Sequence, residues 1–373
     1  MQFTPLALVQ QRVVIGAPLP FNIRDHDGQL LLARGQWLAS ADQRQALFDR
    51  GALVDLTELR STADTVALAR PDELPGLWSG CMDQLGQALR DSGKEGFAEA
   101  LDEATPPVLA LIERDKDLAI FQVLRQNGST HVQYGVNHAT HAAITGCLVA
   151  QRLGWTEADA QRVFKAALTM NISMLELQGQ LALQRRPPSV EQRLAIAAHP
   201  ELSRRMLELA GVTDLDWLTA VSQHHECHDG SGYPTGLRDP SDIAALVRRA
   251  DIYTAKLSPR IGREAINADK AGRMMFMQDP GHPMTAALVK EFGVYPPGCF
   301  VRLMSGETGL VVKRGSTVMA PIVAVLTSAY GSSLPMPIRR DTSQRDYAVH
   351  SVLTPHPGSV RVSPEALLAI AAG

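Results

Sequence analysis

The sequence predicts a mainly α-helical protein with a small N-terminal α/β or β module and a small C-terminal β appendage. Helical periodicity runs through the middle of the chain, from about Asp117 to about Pro280. An Asp-Gly pair between apolar runs near the N-terminus is typical of a β-hairpin. Short apolar, β-branched runs after about residue 298 favour strands. Helix and loop alternate in the middle of the chain almost without strand patterns, which indicates an all-α core.

The length and composition indicate a globular protein of several domains. At 373 residues, of which 45% are hydrophobic, the chain is longer than one core usually organises. We expect a small module with strands over residues 1–58 and a linker with helices over 59–115. A helical domain should follow over 116–283, and a C-terminal helix with a β appendage over 284–373.

Charge and cysteine use narrow the functional classes. The net charge of −3 and the pI near 6.4 provide no general field that would attract a nucleic acid polymer or an anionic membrane surface. No run of 18 apolar residues is present, so we expect no insertion into a membrane. The four cysteines are far apart and form no Cys-x-x-Cys pair, which favours a reduced, cytoplasmic protein.

Local signals predict the individual elements. Near the N-terminus they are a hairpin at Asp27-Gly28, a helix over 40–50, and helices near 78–92 and 96–114, the last containing Pro106-Pro107, where a helix should start or break. In the core they are a helix over Ala139–Leu153, a helix capped by Thr156 with Asp159, a helix opened by Ser189 with Gln192, a helix from Pro200 to Leu209, and a helix capped by Thr213. Near the C-terminus they are a helix over 284–292 and strands over Phe300–Leu303, Gly309–Val312 and Ile322–Thr327.

The placement of the histidines is the most informative feature of the sequence. His138 shares a predicted helix face with His141, and His199 should start a helix before Pro200. His224, His225 and His228 cluster at a helix end, and Asp251 lies in an otherwise apolar helix. Neutral imidazoles and a carboxylate drawn from several helices into one core are typical of a di-metal hydrolase. A buried histidine is also commonly a hydrogen-bonded core residue, and spacing alone leaves both interpretations open.

A longer motif follows the paired histidines. It reads His224-His225-Glu226-x-x-Asp229-Gly230-x-Gly232-Tyr233-Pro234-x-Gly236-Leu237 and resembles the signature of the HD-GYP family. These all-helical relatives of the HD phosphohydrolases include active members that hydrolyse cyclic di-GMP at a di- or tri-metal centre. The resemblance covers roughly residues 120–300 and implies an HD-type helical bundle.

The resemblance also implies roles for individual residues. The metal ligands it implies are His138, His199, His224, His225 and Asp251. The ligand-binding residues it implies are Asp229, Gly230, Gly232, Tyr233, Pro234, Arg260 and Arg263, the two arginines as contacts to the phosphates of a dinucleotide.

One segment departs from the family pattern. Where the family has its His-Asp pair and a following Gly-Lys, this chain has Met170-Asn171 and then Ser173-Met174. Asparagine is neutral and cannot match a bridging carboxylate, and a thioether is a poor ligand for hard cations. We therefore assign no catalytic residue and expect at most one divalent metal (Fe, Mn or another) at reduced affinity, or none.

Three functions are compatible with these observations. The first is a degenerate domain in bacterial cyclic di-GMP signalling, catalytically weak or inactive, that binds cyclic di-GMP or a related nucleotide or docks a signalling protein, with oligomerisation open. The second is an active metal-dependent phosphodiesterase with an altered metal site, in which His141 or His228 is a substitute ligand. The third is a structural scaffold without a ligand. Metal analysis with a turnover assay distinguishes the first function from the second. Calorimetry with cyclic di-GMP that shows no heat would favour the third.

Overall fold

The computed structural model describes residues 3–59, 62–125, 131–261 and 265–354, together with Leu367 and Ile370. It confirms the predicted fold class, because the described residues are mainly helical and add one small sheet near each end of the chain. The chain divides into two compact units, Met1–Leu68 and Ala69–Gly373.

The helices are α1 Ala41–Asp49, α2 Leu56–Leu59, α3 Thr62–Leu68, α4 Leu74–Arg90, α5 Phe97–Arg114, α6 Lys116–Leu124, α7 His131–Arg152, α8 Glu157–Thr169, α9 Leu175–Leu183, α10 Val190–Leu209, α11 Leu215–Gln223, α12 Asp242–Leu257, α13 Ala268–Gln278 and α14 Pro283–Phe292. The strands are β1 Phe3–Pro5, β2 Ile23–Arg24, β3 Leu30–Leu32, β4 Leu53–Asp55, β5 Phe300–Leu303, β6 Thr308–Lys313, β7 Ile322–Thr327, β8 Ser333–Asp341 and β9 Val349–Leu353. Short 3-10 turns join several of these elements.

The first unit is a four-stranded antiparallel sheet in the order β1-β4-β2-β3, with α1 beside it. The predicted hairpin is confirmed: β2 and β3 pair around a turn in which Asp25 Oδ1 accepts from the backbone N–H groups of Asp27 and Gln29. Gly28 has a φ of 78°, a conformation that glycine adopts without steric cost. The hairpin signal in the sequence was therefore sufficient to place the β2–β3 pair of this sheet.

The long helix α7 is central to the second unit. It packs against α4, α6, α8, α9, α12 and α14. Two glycines permit the closest of these contacts: a Cβ on Gly135 would lie 2.6 Å from the Leu175 carbonyl oxygen, and one on Gly146 would lie 2.7 Å from Val163. Because α7, α10, α11 and α12 carry the predicted metal ligands or end beside them, this packing positions the site.

Helix starts were predicted well where a side chain caps the helix. Thr156 accepts from the Asp159 backbone N–H, and Ser189 forms a capping box with Gln192, so both predicted N-caps are confirmed. The cap predicted at Thr213 is wrong by one residue, because the Asp214 carboxylate caps α11.

Predictions based on proline were wrong. Pro106 and Pro107 lie inside α5, and Pro200 lies inside α10, so neither site starts a helix. His199 therefore lies in the middle of α10 and not at the start of a helix. Pro107 and Pro200 are both buried. Tertiary packing of the apolar ring offsets the lost backbone hydrogen bond at these positions.

The C-terminal sheet is antiparallel in the order β8-β7-β6-β5-β9. The predicted strands β5, β6 and β7 are confirmed to within one residue, whereas β8 and β9 were missed. In β8, Pro335 and Pro337 mask the strand pattern, and β8 lies at the sheet edge, where proline is tolerated. Arg314, which follows β6, binds Asp117 and Glu291 and so fastens the sheet to the helices.

Among the described residues, no helix combines the length and the apolar content that crossing a membrane requires. All four cysteines are free thiols. Cys147 is buried and Cys299 partly buried, and burial raises the pKa of both thiols, that of Cys147 to about 12. Thiols held in this state are poor nucleophiles, and we assign them no chemistry.

Candidate metal centre

Three histidines from two helices converge at one point, and we call them the histidine trio: His199, His224 and His225. His199 lies inside α10, while His224 and His225 follow directly after α11. One donor atom from each of the three side chains lies within 4.8 Å of the other two. Within the described part of the chain, this is the group of histidine, cysteine and acidic side chains with the spacing of a metal site.

Backbone hydrogen bonds fix how two of these rings present their nitrogens. His199 Nδ1 lies 2.6 Å from the Ile196 carbonyl, and His224 Nδ1 lies 2.7 Å from the Val221 carbonyl. Because a carbonyl can only accept, both Nδ1 atoms carry the proton, and in the neutral rings both lone pairs are on Nε2. A metal-binding histidine is typically oriented in this way by its other nitrogen.

The two Nε2 atoms of His199 and His224 lie 3.1 Å apart. Burial, followed by the charge of His224, lowers the pKa of His199 to about 3, and burial also lowers the pKa of His224. Both rings are therefore neutral near pH 7, and two lone pairs face each other at close range. A cation that accepts both lone pairs removes this repulsion, so the residues present fit a divalent metal.

His225 connects the trio to the loop that follows it. Its ring stacks on Tyr233, with ring centroids 4.5 Å apart and an interplanar angle of 18°. The Tyr233 backbone N–H donates to the His225 carbonyl at 3.2 Å. Burial lowers the pKa of His225 well below its usual value and raises that of the Tyr233 hydroxyl. The loop is thus folded back over the trio with an aromatic side chain against it.

His138 and Asp251 form a separate pair beside the trio. His138 Nε2 lies 2.7 Å from Asp251 Oδ1, which joins α7 to α12. Burial alone would raise the pKa of Asp251, but the hydrogen bond from His138 and the nearby His225 and His224 bring it below its usual value. Asp251 is therefore an anion beside three neutral imidazoles. The structure brings the five predicted ligands into one region, with two of them bonded to each other.

The turn after α8 holds the residues that replace the expected His-Asp pair. Met170 and Asn171 are fully buried, and Met174 is half-buried in the 3-10 turn that follows. Asn171 Oδ1 has no hydrogen-bond partner among the described residues. The helix α8 packs against α7, α11 and α12, which carry or adjoin four of the five predicted ligands. This turn contributes no charge to that region.

A buried glutamate that we did not single out from the sequence organises the loop. Glu226 is 2% exposed, and its Oε1 accepts from both the backbone N–H and the hydroxyl of Thr235, each at 2.8 Å. Its Oε2 accepts from the Leu237 backbone N–H at 2.9 Å. A carboxylate can accept four hydrogen bonds, so one such side chain can bind several groups of the loop. The sequence signal for this role is the position of Glu226 in the motif, directly after the histidine pair. Glu226 is a positioning residue for the loop.

The other loop residues have structural partners of their own. Gly232 packs so closely that a Cβ there would lie 2.5 Å from the backbone of residues 225–227, and Gly230 has a φ of 78°. The exposed Asp229 accepts from the backbone and hydroxyl of Ser231, which closes a turn. Pro234 follows a cis peptide bond. These contacts give the loop a defined shape beside the trio.

Two arginines flank the site. Arg260 Nε donates to the Tyr134 hydroxyl at 2.9 Å, and the Tyr134 ring stacks on His138, with centroids 6.5 Å apart. Arg248, which sequence reasoning missed because no motif marks it, lies half-buried on α12 and has no hydrogen-bond or ion-pair partner within the described ranges. After burial, which is the largest cause, its charge also lowers the pKa of His224 and His225. The predicted Arg263 lies outside the described residues.

The two substitute ligands of the alternative prediction are placed differently. His141 is buried, its Nδ1 has no partner among the described residues, and burial and then His138 lower its pKa to about 3. His228 is exposed in the loop. Neither belongs to the histidine trio.

Comparison with known proteins agrees with this architecture. Residues 125–279 match the family model of the HD domain. The cyclic di-GMP phosphodiesterase PA4108 of Pseudomonas aeruginosa is 36% identical over 149 residues, which are 38% of this chain and 35% of that protein. The 3'3'-cGAMP-specific phosphodiesterase 3 of Vibrio cholerae is 29% identical over 147 residues, which are 38% of this chain and 31% of that protein. The match thus spans about a third of the length of these relatives.

One solved structure has the same fold. The HDG"Y"P protein Bd1817 from Bdellovibrio bacteriovorus superposes with a TM-score of 0.50 at 16% sequence identity, covering 78% of this chain and 98% of that one. At this identity the likeness establishes the fold alone. The chain therefore contains an HD domain that is distantly homologous to HD-GYP cyclic di-GMP phosphodiesterases.

Proposed function

We propose that the HD domain holds one divalent metal on the histidine trio and binds cyclic di-GMP or a related cyclic dinucleotide with little or no hydrolysis. On this proposal the protein is a degenerate member of the HD-GYP family that responds to the nucleotide or passes its state to a signalling partner. The observation that carries the proposal is the contrast between the trio, whose lone pairs converge, and the buried, neutral Met170-Asn171 turn.

The metal count follows from the charges. Three neutral imidazoles and one nearby carboxylate, Asp251, compensate one divalent cation only in part, and Asn171 adds no second anion. Two divalent cations close together repel each other unless a carboxylate bridges them. A single iron or manganese ion is therefore the expected occupant. When bound, such an ion supplies Lewis acidity toward a phosphate oxygen.

The proposed nucleotide binding rests on residues that are not candidate metal ligands. Among the described residues Arg248 has no hydrogen-bond or ion-pair partner, and its charge acts on His224 and His225. Arg260 lies over the Tyr134 ring. Both can pair with the phosphates of a dinucleotide, because guanidinium groups recognise phosphate oxygens with two parallel hydrogen bonds. The Tyr233 ring, fixed against His225, offers a face or hydroxyl at the same side. The nucleotide can thus be bound without the second divalent cation that hydrolysis of a phosphodiester would require.

The test measures binding and turnover on one protein preparation. Calorimetry with cyclic di-GMP should give a saturable heat, while chromatography of the same mixture should show linear or mononucleotide products at the level of a protein-free control. Robust product formation by the unmodified chain would overturn the proposal. A complete absence of binding heat would favour a structural scaffold instead.

A second candidate is an active phosphodiesterase with an altered site. The buried, unpartnered Nδ1 of His141, one turn from His138, favours it, because an additional imidazole there could replace a missing ligand. Two metals per chain, with loss of one of them in His141→Ala, would support this second candidate over the first.

A further inference from the structure

The outer face of α10 carries an apolar stripe that no part of the metal centre uses. Leu194 is 66% exposed, Leu202 45% and Leu209 89%, and Ala198 between them is also exposed. On an α-helix these positions fall within a narrow arc, since successive ones are four or seven residues apart. Exposed leucines in such a row are the pattern of a helix-helix contact, whereas isolated exposed leucines are ordinary.

Two charged residues lie within the same arc. Glu191 precedes Leu194 by three residues, and Arg205 follows Leu202 by three. Both are exposed: the Arg205 side chain is 64% accessible and shares Glu201 with Arg204, while the Glu191 carboxylate accepts from the Ser189 hydroxyl. A charge on the same helix face as an apolar stripe costs little in water but must be matched when that face is covered.

We infer that α10 pairs with α10 of a second copy of this chain in an antiparallel, two-fold symmetric contact centred on Ala198. About this centre the stripe is self-complementary, because Leu194 and Leu202 lie four residues to either side, and Glu191 and Arg205 lie seven. In the antiparallel arrangement each leucine meets a leucine, and each Glu191 meets the Arg205 of the partner subunit. A two-fold axis repeats each of these contacts.

The charges also decide the orientation. In a parallel pair in the same register, Glu191 would face Glu191 and Arg205 would face Arg205, and like charges in a covered contact are unfavourable. The small Ala198 at the centre lets the two helices approach closely. Because α10 spans only 20 residues, about 30 Å, the contact is small, and we expect a dissociation constant on the order of micromolar.

The contact lies on the side of α10 away from the metal centre. His199, Ser203 and Leu207 lie on the buried face of the same helix, where Ser203 bonds Ser173. Dimerisation at the outer face therefore needs no rearrangement of the histidine trio, and it is independent of whether the site binds metal or nucleotide.

The experiment is sedimentation velocity of the full chain across a concentration series. The unmodified chain should shift from monomer toward dimer, and Leu194→Glu should raise the dissociation constant by about a hundredfold or more, because two copies of the leucine leave the contact. Met277→Glu, a matched change at a methionine of α13 that is 76% exposed, should leave the equilibrium unchanged. Circular dichroism melting curves check that both variants remain folded.

A charge exchange tests the orientation. Glu191→Arg alone and Arg205→Glu alone should each weaken the dimer, by about tenfold or more, and the double exchange should restore it. A monomer at every concentration, a dimer that survives Leu194→Glu, or a double exchange that remains as weak as the single variants would overturn the inference.

Discussion

The histidine trio and the turn after α8 belong to one helical bundle, yet their polar atoms are partnered in opposite ways. In the trio, His199 and His224 each have Nδ1 bonded to a backbone carbonyl, and Glu226 beside them accepts three hydrogen bonds. In the turn, Met170 offers a thioether and Asn171 an oxygen without a partner among the described residues. The groups that orient the trio are thus present, and neither Met170 nor Asn171 supplies a negative charge.

This difference teaches that orientation and charge are separable in such a site. A buried neutral histidine whose Nδ1–H donates a hydrogen bond to a backbone carbonyl keeps its orientation without a metal. A bridging carboxylate, in contrast, is costly to bury without the cations it serves. On the proposed function, a neutral residue in its place therefore preserves the fold and leaves no site for a second cation.

The largest effect should follow from removing a member of the trio. We expect His224→Ala to weaken metal binding by about 100-fold or more, because one of the two lone pairs that face each other is lost. Elemental analysis after dialysis against a weak chelator measures this change. The exposed loop residue His228 provides the control, and His228→Ala should leave the metal content unaltered. An equal loss of metal in both variants would show that the trio does not bind the metal.

Acidification should destabilise the metal-free protein. The pKa of His199 and that of His141 are about 3 in the folded chain, against 6.5 for an ordinary histidine, so the unfolded chain binds more protons as the pH falls below 6.5. The free energy of unfolding should therefore fall by about 1.4 kcal/mol for each such histidine at one pH unit below 6.5. Urea unfolding at pH 7.5 and 5.5 measures this fall. Constant stability would contradict neutral, buried rings at His199 and His141.

Arg248→Ala should weaken cyclic di-GMP binding by about tenfold while metal content stays the same, since one phosphate contact is lost and no ligand is touched. Arg273→Ala is the matched control, because Arg273 is exposed and already pairs with Asp269 within α13. Calorimetry on the three proteins compares them. If the two variants bind alike, Arg248 has no part in nucleotide recognition.

A smaller effect is expected for Glu226→Gln. The amide keeps one acceptor oxygen but presents N–H groups to the Leu237 backbone N–H, which loosens the loop and lowers the unfolding free energy by about 1–3 kcal/mol. Nucleotide affinity should fall by only a few-fold, because Tyr233 remains stacked on His225. Thermal melting measures the change in stability, and calorimetry measures the change in nucleotide affinity. Glu103→Gln, at an exposed position, is the control. An unchanged melting temperature in Glu226→Gln would show that Glu226 does not anchor the loop.

The sequence was most informative where a signal is local. Asp27-Gly28 specified a hairpin, and Ser189 with Gln192 specified a helix start, because each signal is satisfied within a few residues. Pro200 was misleading because the compensation comes from distant packing. Strand β8 was missed because an edge position, which makes its prolines harmless, is a property of the whole sheet.

The site shows the same division. The motif of His224 and His225 was readable, and it identified the loop that Glu226 anchors. The bond between His138 and Asp251 joins residues 113 positions apart, and only the packing of α7 on α12 creates it. Arg248 belongs to no motif, so only the folded position of α12 reveals that it lies beside the trio.

The central claim is that the neutral pair Met170-Asn171 prevents a second cation from binding. The most direct measurement is the metal content of the double variant Met170→His with Asn171→Asp, beside the unmodified chain and a Met170→Leu control, each assayed for cyclic di-GMP hydrolysis. We predict one metal or fewer in the unmodified chain and in the control, and two metals with measurable hydrolysis in the double variant. Two metals and rapid turnover in the unmodified chain would contradict the claim.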